Sequence, residues 1–313
     1  MRIRFWGVRG SLPSPVVPMQ IQDNIRAILE QATPKDIESS EAIERFLAGL
    51  PPWLFGTVGG NTSCVSLDWG DSERLILFDA GSGIRELGLA AERSQPQIAS
   101  YHIFFSHFHW DHIMGLPFFN PAYNPQADIT FYSPQPNLEA ILAEQMKAPY
   151  FPVAMNTMSA GKTYRTLTEP LILPGGVTVS YKRMKHPGGS YSYRVDDGTH
   201  RFIYATDVEL SAEDFLETKE NISFFKDADV AVIDSQYTLQ DAIEKYNWGH
   251  SSFRAAADFA AHWGIKQLVI FHHEPTYNDR EVYGILQSAR WYAEQMQFNL
   301  PVTLATEGLE MIL

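Results

Sequence analysis

A single cysteine, Cys64, stands among 313 residues. One sulfur can build neither a disulfide framework nor a thiolate-rich zinc site, since each needs at least two, and a reducing cytoplasm is the expected compartment. Long apolar runs are also missing. Nothing approaches the roughly 18 to 20 residues that cross a bilayer, and Met1-Arg2-Ile3-Arg4-Phe5 alternates like a strand instead of reading as a leader. A soluble, unprocessed chain with no membrane association is expected. Basic residues are scarce: Lys plus Arg number 24 against 37 Asp plus Glu, a formal net charge of −13. That sign excludes a broad basic face for gripping phosphate backbones, so an extended nucleic acid is not an expected partner and any contact with one must be local. What the chain does have is apolar material. With 45% hydrophobic residues it can bury a sizeable core, and disorder is excluded for most of its length.

Runs rich in β-branched and aromatic residues recur at 3–8, 62–69, 74–79, 101–106, 129–132, 177–184, 190–195, 201–206, 230–234 and 267–271, and read as strands. Helical patterns cover 137–147, 251–264 and 280–297. Strands crowd the early chain and alternate with helices later, which predicts a mixed α/β layered domain over 1–313. Residues 15–52 break the pattern with two amphipathic stretches. Ile21, Ile25, Ile28 and Leu29 share one face of the first, and Ile43, Phe46, Leu47 and Leu50 one face of the second. Between them Thr33 can cap a helix with Pro34 in its first position. The segment lies between two strands and reads as an inserted αα-hairpin: a cap over a sheet edge, a substrate lid or a homodimer contact.

Chemistry concentrates in Ser106-His107-Phe108-His109-Trp110-Asp111-His112, three imidazoles and a carboxylate within six positions after a strand. Imidazole nitrogen and carboxylate oxygen suit Zn²⁺, Mn²⁺ or Fe, and a turn can aim alternate side chains to two sides, so two adjacent metals could be served. A loop of chance histidines would leave each buried ring seeking its own hydrogen-bond partner. Gly59-Gly60-Asn61-Thr62-Ser63-Cys64 reads as a tight turn into a strand, with Cys64 a small buried hydrophobe. His102, His200 and His262 have no ligand partners nearby. Trp110 and the run 116–119 either stack on a base or fill a pocket wall.

His107-x-His109-x-Asp111-His112 resembles the signature of the metallo-β-lactamase fold superfamily of hydrolases, and other segments agree. Phe5-Trp6-Gly7-Val8-Arg9-Gly10-Ser11 is similar to the family's glycine-rich first strand and turn. Asp79-Ala80-Gly81 is similar to the Asp-x-Gly that buttresses the metal loop. Beyond the first motif, His186, Asp207 and His272 match the later ligands in order and context. The resemblance implies a four-layer αββα sandwich, into which the hairpin is inserted. It also implies two divalent ions per chain, zinc first, with Mn²⁺ or Fe²⁺ as alternatives. His107, His109 and His186 would bind one; Asp111, His112 and His272 the other; Asp207 would bridge them. His273 is adjacent to His272 and leaves a one-residue slip open.

Where Asp207 stands, the antibiotic-cleaving two-zinc lactamases place a cysteine, so lactamase activity is not expected. Trp248-Gly249-His250-Ser251-Ser252 precedes a helix and resembles the Gly-His-Ser/Thr element of the phosphodiesterase branch. That branch includes tRNA 3′-processing endonucleases, class II cyclic-nucleotide phosphodiesterases and phosphoribosyl cyclic phosphodiesterases. A histidine beside a helix N-terminus can protonate a leaving alkoxide, and Ser251 and Ser252 could help it hold a phosphate. The alternative is that Ser251 merely caps the helix and His250 is a loop residue. The expectation is therefore a dinuclear phosphodiesterase acting on a small phosphodiester, a cyclic nucleotide or cyclic phosphate, with Asp111 and His250 as its catalytic residues. An RNA endonuclease is the alternative, set second because no basic, Gly/Pro-tipped arm is present. A lactonase or thioester hydrolase, or a non-catalytic metal-bound sensor, follows.

Overall fold

Among the residues described in the computed structural model, 1–93 and 98–313, the strands form two seven-stranded sheets. The first contains β1 (Arg2–Gly7), β2 (Cys64–Asp68), β3 (Arg74–Phe78), β4 (Ser100–Phe104), β5 (Asp128–Ser133) and β6 (Gly161–Thr166). The second contains β7 (Leu171–Ile172), β8 (Thr178–Met184), β9 (Ser190–Asp196), β10 (Arg201–Ala205), β11 (Val230–Asp234), β12 (Leu268–Phe271) and β13 (Val302–Leu304). Finally β14 (Glu310–Ile312) pairs with β1 at the free edge of the first sheet.

Side chains alternate across a strand, and here both faces are buried. Phe202, Tyr204, Val230, Val232, Val269 and Phe271 face the first sheet and cluster with Ile3, Phe5, Val65, Leu67 and Phe78. The residues between them, Ile203, Ala231, Ile233, Leu268 and Ile270, turn outward to the helices Phe253–His262 and Asp279–Gln295. On the far side of the first sheet, Leu77, Ile103, Ile129 and Phe131 pack with Ile84 and Leu87 of the helix Gly83–Ala91. The order helix, sheet, sheet, helix is the αββα sandwich that the sequence predicts. At roughly 1.5 to 3 kcal/mol per large apolar side chain fully buried, this two-sided packing is the main term holding the layers together.

Residues 15–52 hold the helices Pro18–Gln31 and Ser40–Gly49. The expected start at Thr33-Pro34 opens only a 3₁₀ turn, Pro34–Ile37. Asp36 accepts from the Thr33 hydroxyl at 2.6 Å and from its amide at 2.9 Å, closing a tight local loop. A second cap, Ser39, accepts from the Ala42 amide at 3.1 Å and starts the helix Ser40–Gly49. The apolar face of the first helix stays uncovered: none of its residues is buried, and Ile21, Ile25 and Leu29 are about half exposed or more.

Candidate metal centre

Strands β3, β4 and β5 run parallel, as do β10, β11 and β12, so the carboxyl ends within each set share one edge. The sequence-predicted residues follow such ends: Asp79 after β3, His107 after β4, His186 after β8, Asp207 after β10 and His272 after β12. Asp79, Asp207 and His272 adopt left-handed backbone, with φ of 60°, 50° and 63°. Such positions cost of order 1 to 3 kcal/mol each, and persist where the surroundings fix them. Gly10 is required beside His272, because a Cβ there would lie 2.5 Å from the ring.

The seven expected ligands converge as two groups sharing Asp207: His107, His109 and His186 in one, and Asp111, His112 and His272 in the other. Within each group the ligand atoms lie within 4.8 Å of one another. Asp207 divides its oxygens between them. Its Oδ1 is 3.6 Å from His107 Nε2 and 3.7 Å from His186 Nε2. Its Oδ2 is 3.1 Å from both His112 Nε2 and His272 Nε2. Asp111 Oδ2 lies 3.1 Å from His112 Nε2 and 3.3 Å from His272 Nε2, and accepts from the Ser11 amide at 2.8 Å.

Outer partners hold the rings in orientation, the arrangement that metal-ligating histidines use to fix tautomer and direction. Asp79 Oδ2 is 2.8 Å from His112 Nδ1, and the same carboxylate accepts from Ser106 and from the Tyr204 hydroxyl. His186 Nδ1 is 2.9 Å from the Gly249 carbonyl, and His272 Nδ1 is 3.1 Å from Gln236 Oε1. Gln236 in turn donates to the buried Glu274.

Electrostatics favour a cation here. Burial, then the neighbouring imidazoles, keeps His107 neutral, well below its ordinary value, and burial likewise lowers His109 and His186. Burial opposes charge on Asp111 and Asp207, yet His112 and the other rings hold both ionised below the usual carboxylate range. Burial would also neutralise His112, but Asp207, Asp111 and Asp79 raise it well above its ordinary value. In the chain alone, a proton on His112 answers the carboxylates. Nε2 of His107 is buried without a hydrogen bond, an orphaned state that a cation would relieve. The donor set therefore fits two divalent ions, whose binding would release that proton.

His250 lies beside the cluster, stacked on His272 with ring centroids 5.1 Å apart. Its Nδ1 is 2.7 Å from Asp234 Oδ2, at the end of β11. Burial lowers its pKa, but the Asp234 charge and hydrogen bond prevail and push it up to about 9. Ser251 Oγ donates to the Val208 carbonyl at 2.6 Å and accepts from the Leu210 amide, while Ser252 Oγ caps the helix Phe253–His262. Both hydroxyls meet backbone groups, and Ser252, an acceptor in its cap, keeps its own hydrogen to donate. His273 points away from the cluster: it is buried, its Nε2 meets the Ala305 carbonyl at 2.8 Å, and burial pushes it down to about 3.

Sequence reasoning missed Asp234, Gln236 and Glu209. Glu209 accepts from the Gly249 amide at 3.0 Å and pairs with Lys185, tying the loop before His250 to the β8 and β10 ends. Asp234 was visible only as the last residue of a strand, and its meeting with His250 is a product of tertiary folding.

A His/Asp cluster along one edge of an αββα sandwich defines a metal-dependent hydrolase of the metallo-β-lactamase fold. Residues 74–273 match the family described as beta-lactamase superfamily domain, and the chain belongs to that superfamily. Ribonuclease Z of Prochlorococcus marinus (strain NATL1A) is 25% identical over 278 residues, covering 71% of this chain and 84% of that protein. Human tRNase Z, short form, superposes with a TM-score of 0.61 at 17% identity, over 100% of this chain and 99% of that one. Zn²⁺-bound PqqB from Methylobacterium extorquens gives 0.64 at 15% identity, over 100% of both chains.

Proposed function

We propose that this protein is a phosphodiesterase holding two divalent cations and that its substrate is an RNA phosphodiester, of the kind cut in 3′ processing of tRNA. The observation that carries the reaction class is Asp207, with one oxygen toward each histidine group, next to the Asp234–His250 pair. His107, His109 and His186 would hold one ion, Asp111, His112 and His272 the second, and Asp207 both. Zinc is the first candidate for both ions. Two such ions supply Lewis acidity and a nucleophile at neutral pH. The chain's own part is orientation and proton delivery: Asp234 keeps His250 protonated and aimed, and His250 gives its proton to the leaving alkoxide. Asp111, held ionised, serves as a ligand and not as an acid.

For the substrate, the relative named ribonuclease Z supports RNA over the cyclic nucleotide that sequence reasoning put first. A second reading, a small cyclic phosphate, is favoured by the net charge of −13, which is poorly suited to a long polyanion. The deciding experiment is turnover by the metal-loaded protein on precursor tRNA, 2′,3′- and 3′,5′-cyclic nucleotides, bis(4-nitrophenyl) phosphate and a lactone. Metal-dependent endonucleolytic cleavage of the precursor is expected. Turnover of cyclic phosphates alone moves the substrate to the second reading, and turnover of the lactone alone removes the phosphodiesterase.

A further inference from the structure

Two tryptophans stand in solvent beside the cluster. Trp110 lies between His109 and Asp111 and opens the short helix Trp110–Ile113, yet it is 77% exposed. Trp248 precedes Gly249 and is 62% exposed. Their chain neighbours meet at one pair of rings: His109 Nδ1 is 3.2 Å from His186 Nε2, and His186 Nδ1 is 2.9 Å from the Gly249 carbonyl. A Cβ on Gly249 would come within 2.3 Å of that imidazole, so the Trp248 backbone is carried close to the site by a residue that only glycine can fill. Among the described residues neither indole packs on another ring, lies under a cation or donates a hydrogen bond. Large apolar surface held in water one residue from each of two ligands, and one residue from a ligand's carbonyl partner, contributes nothing to the core.

We propose that Trp110 and Trp248 are specificity residues that stack on the bases flanking the phosphodiester at the cluster. The inference rests on the phosphodiesterase reading above. Every base has a π-face, so an exposed indole binds it with little regard to sequence, and such stacking contributes by contact and not by charge. This is how a chain with a net charge of −13 could hold a nucleotide. Its grip on the base would also resist salt, whereas phosphate contacts weaken steeply as salt rises.

The test is equilibrium binding of adenosine 5′-monophosphate and ribose 5-phosphate to the zinc-loaded full chain, read by calorimetry and tryptophan quenching. Adenosine monophosphate should bind roughly 5- to 150-fold tighter, since the two ligands differ only in the base. In the Trp110→Ala/Trp248→Ala double variant the two affinities should converge, with ribose 5-phosphate binding and metal content unchanged. Trp110→Phe/Trp248→Phe, which keeps both rings, should retain most of the preference. Equal affinities in the wild-type chain, or a preference that survives loss of both indoles, overturns the proposal. Turnover of bis(4-nitrophenyl) phosphate reports on the underlying reaction separately. A protein that prefers the base but cleaves no phosphodiester keeps the stacking and loses the activity; one that cleaves while ignoring the base loses the stacking alone.

Discussion

Phosphodiester cleavage expels an alkoxide, a poor leaving group, and the proposed mechanism has His250 protonate it. His250→Ala should lower the rate on an alkyl ester by roughly 10²- to 10⁴-fold, and by much less on a 4-nitrophenyl ester, whose leaving group needs little protonation. Equal losses on both esters, or loss of metal, would remove the acid role. Asp234 raises the pKa of His250, so His250 sheds its proton only as pH climbs above its ordinary value. In Asp234→Asn the alkaline limb of the pH–rate profile should therefore move to lower pH; an unmoved limb denies the coupling. Asp207 carries a separate prediction. With one oxygen toward each histidine group, it would offset the repulsion between two cations, and Asp207→Ala should bind at most one metal per chain by elemental analysis. At this scale His107, His109, Asp111 and His112 were legible because they crowd one turn, and His186, Asp207 and His272 only through the family resemblance. Asp234 was not, because it lies sixteen residues from His250 with no local spacing to join them. The backbone partners of the Ser251 and Ser252 hydroxyls were likewise invisible, because those partners, Val208, Leu210 and the helix start, meet them only in the folded chain.

The elements that sequence patterning finds are those with apolar residues on both faces, such as β10, β11 and β12. Those it misses are short or peripheral. Strand β6 reads as polar, Gly-Lys-Thr-Tyr-Arg-Thr, because it edges the first sheet and leaves most of its side chains in solvent. The helix Gly83–Ala91 begins and continues through glycines, which blur a helical pattern. In the hairpin the amphipathic pattern was legible, and the structure adds that the face of Pro18–Gln31 carrying Ile21, Ile25 and Leu29 is unspent. Replacing residues 15–52 by a short turn should change molecular mass in solution by light scattering, or selectivity among substrates. Unchanged mass together with unchanged kinetics would make the segment decoration.

For the whole molecule, charge and the proposed substrate pull in different directions: the chain is acidic, with a net charge of −13, and the RNA proposed above is a polyanion. What reconciles them is that the two sheets bring donors from most of the chain, Asp79 to His272, to a single edge, so the local field at that edge need not follow the net charge. The left-handed turns at Asp79, Asp207 and His272 give this edge a further property. Each is a costly conformation at the end of an otherwise relaxed strand. Next to them the ring of His107 carries a buried nitrogen without a hydrogen bond. Stripped of its cations, the protein should come apart from this edge first, like a seam whose stitches have been drawn. Amide hydrogens around 79–81, 207–209 and 272–274 should exchange early in chelator, while mid-strand amides of β10 and β12 stay protected. Reloading zinc should slow them again and raise the melting temperature, by an amount set by the metal concentration relative to its dissociation constant. Uniform exchange with and without metal would mean that the seam is closed by the polypeptide alone. If it is closed by metal, the length of time this protein survives in a protease-rich environment is governed by how much metal that environment supplies.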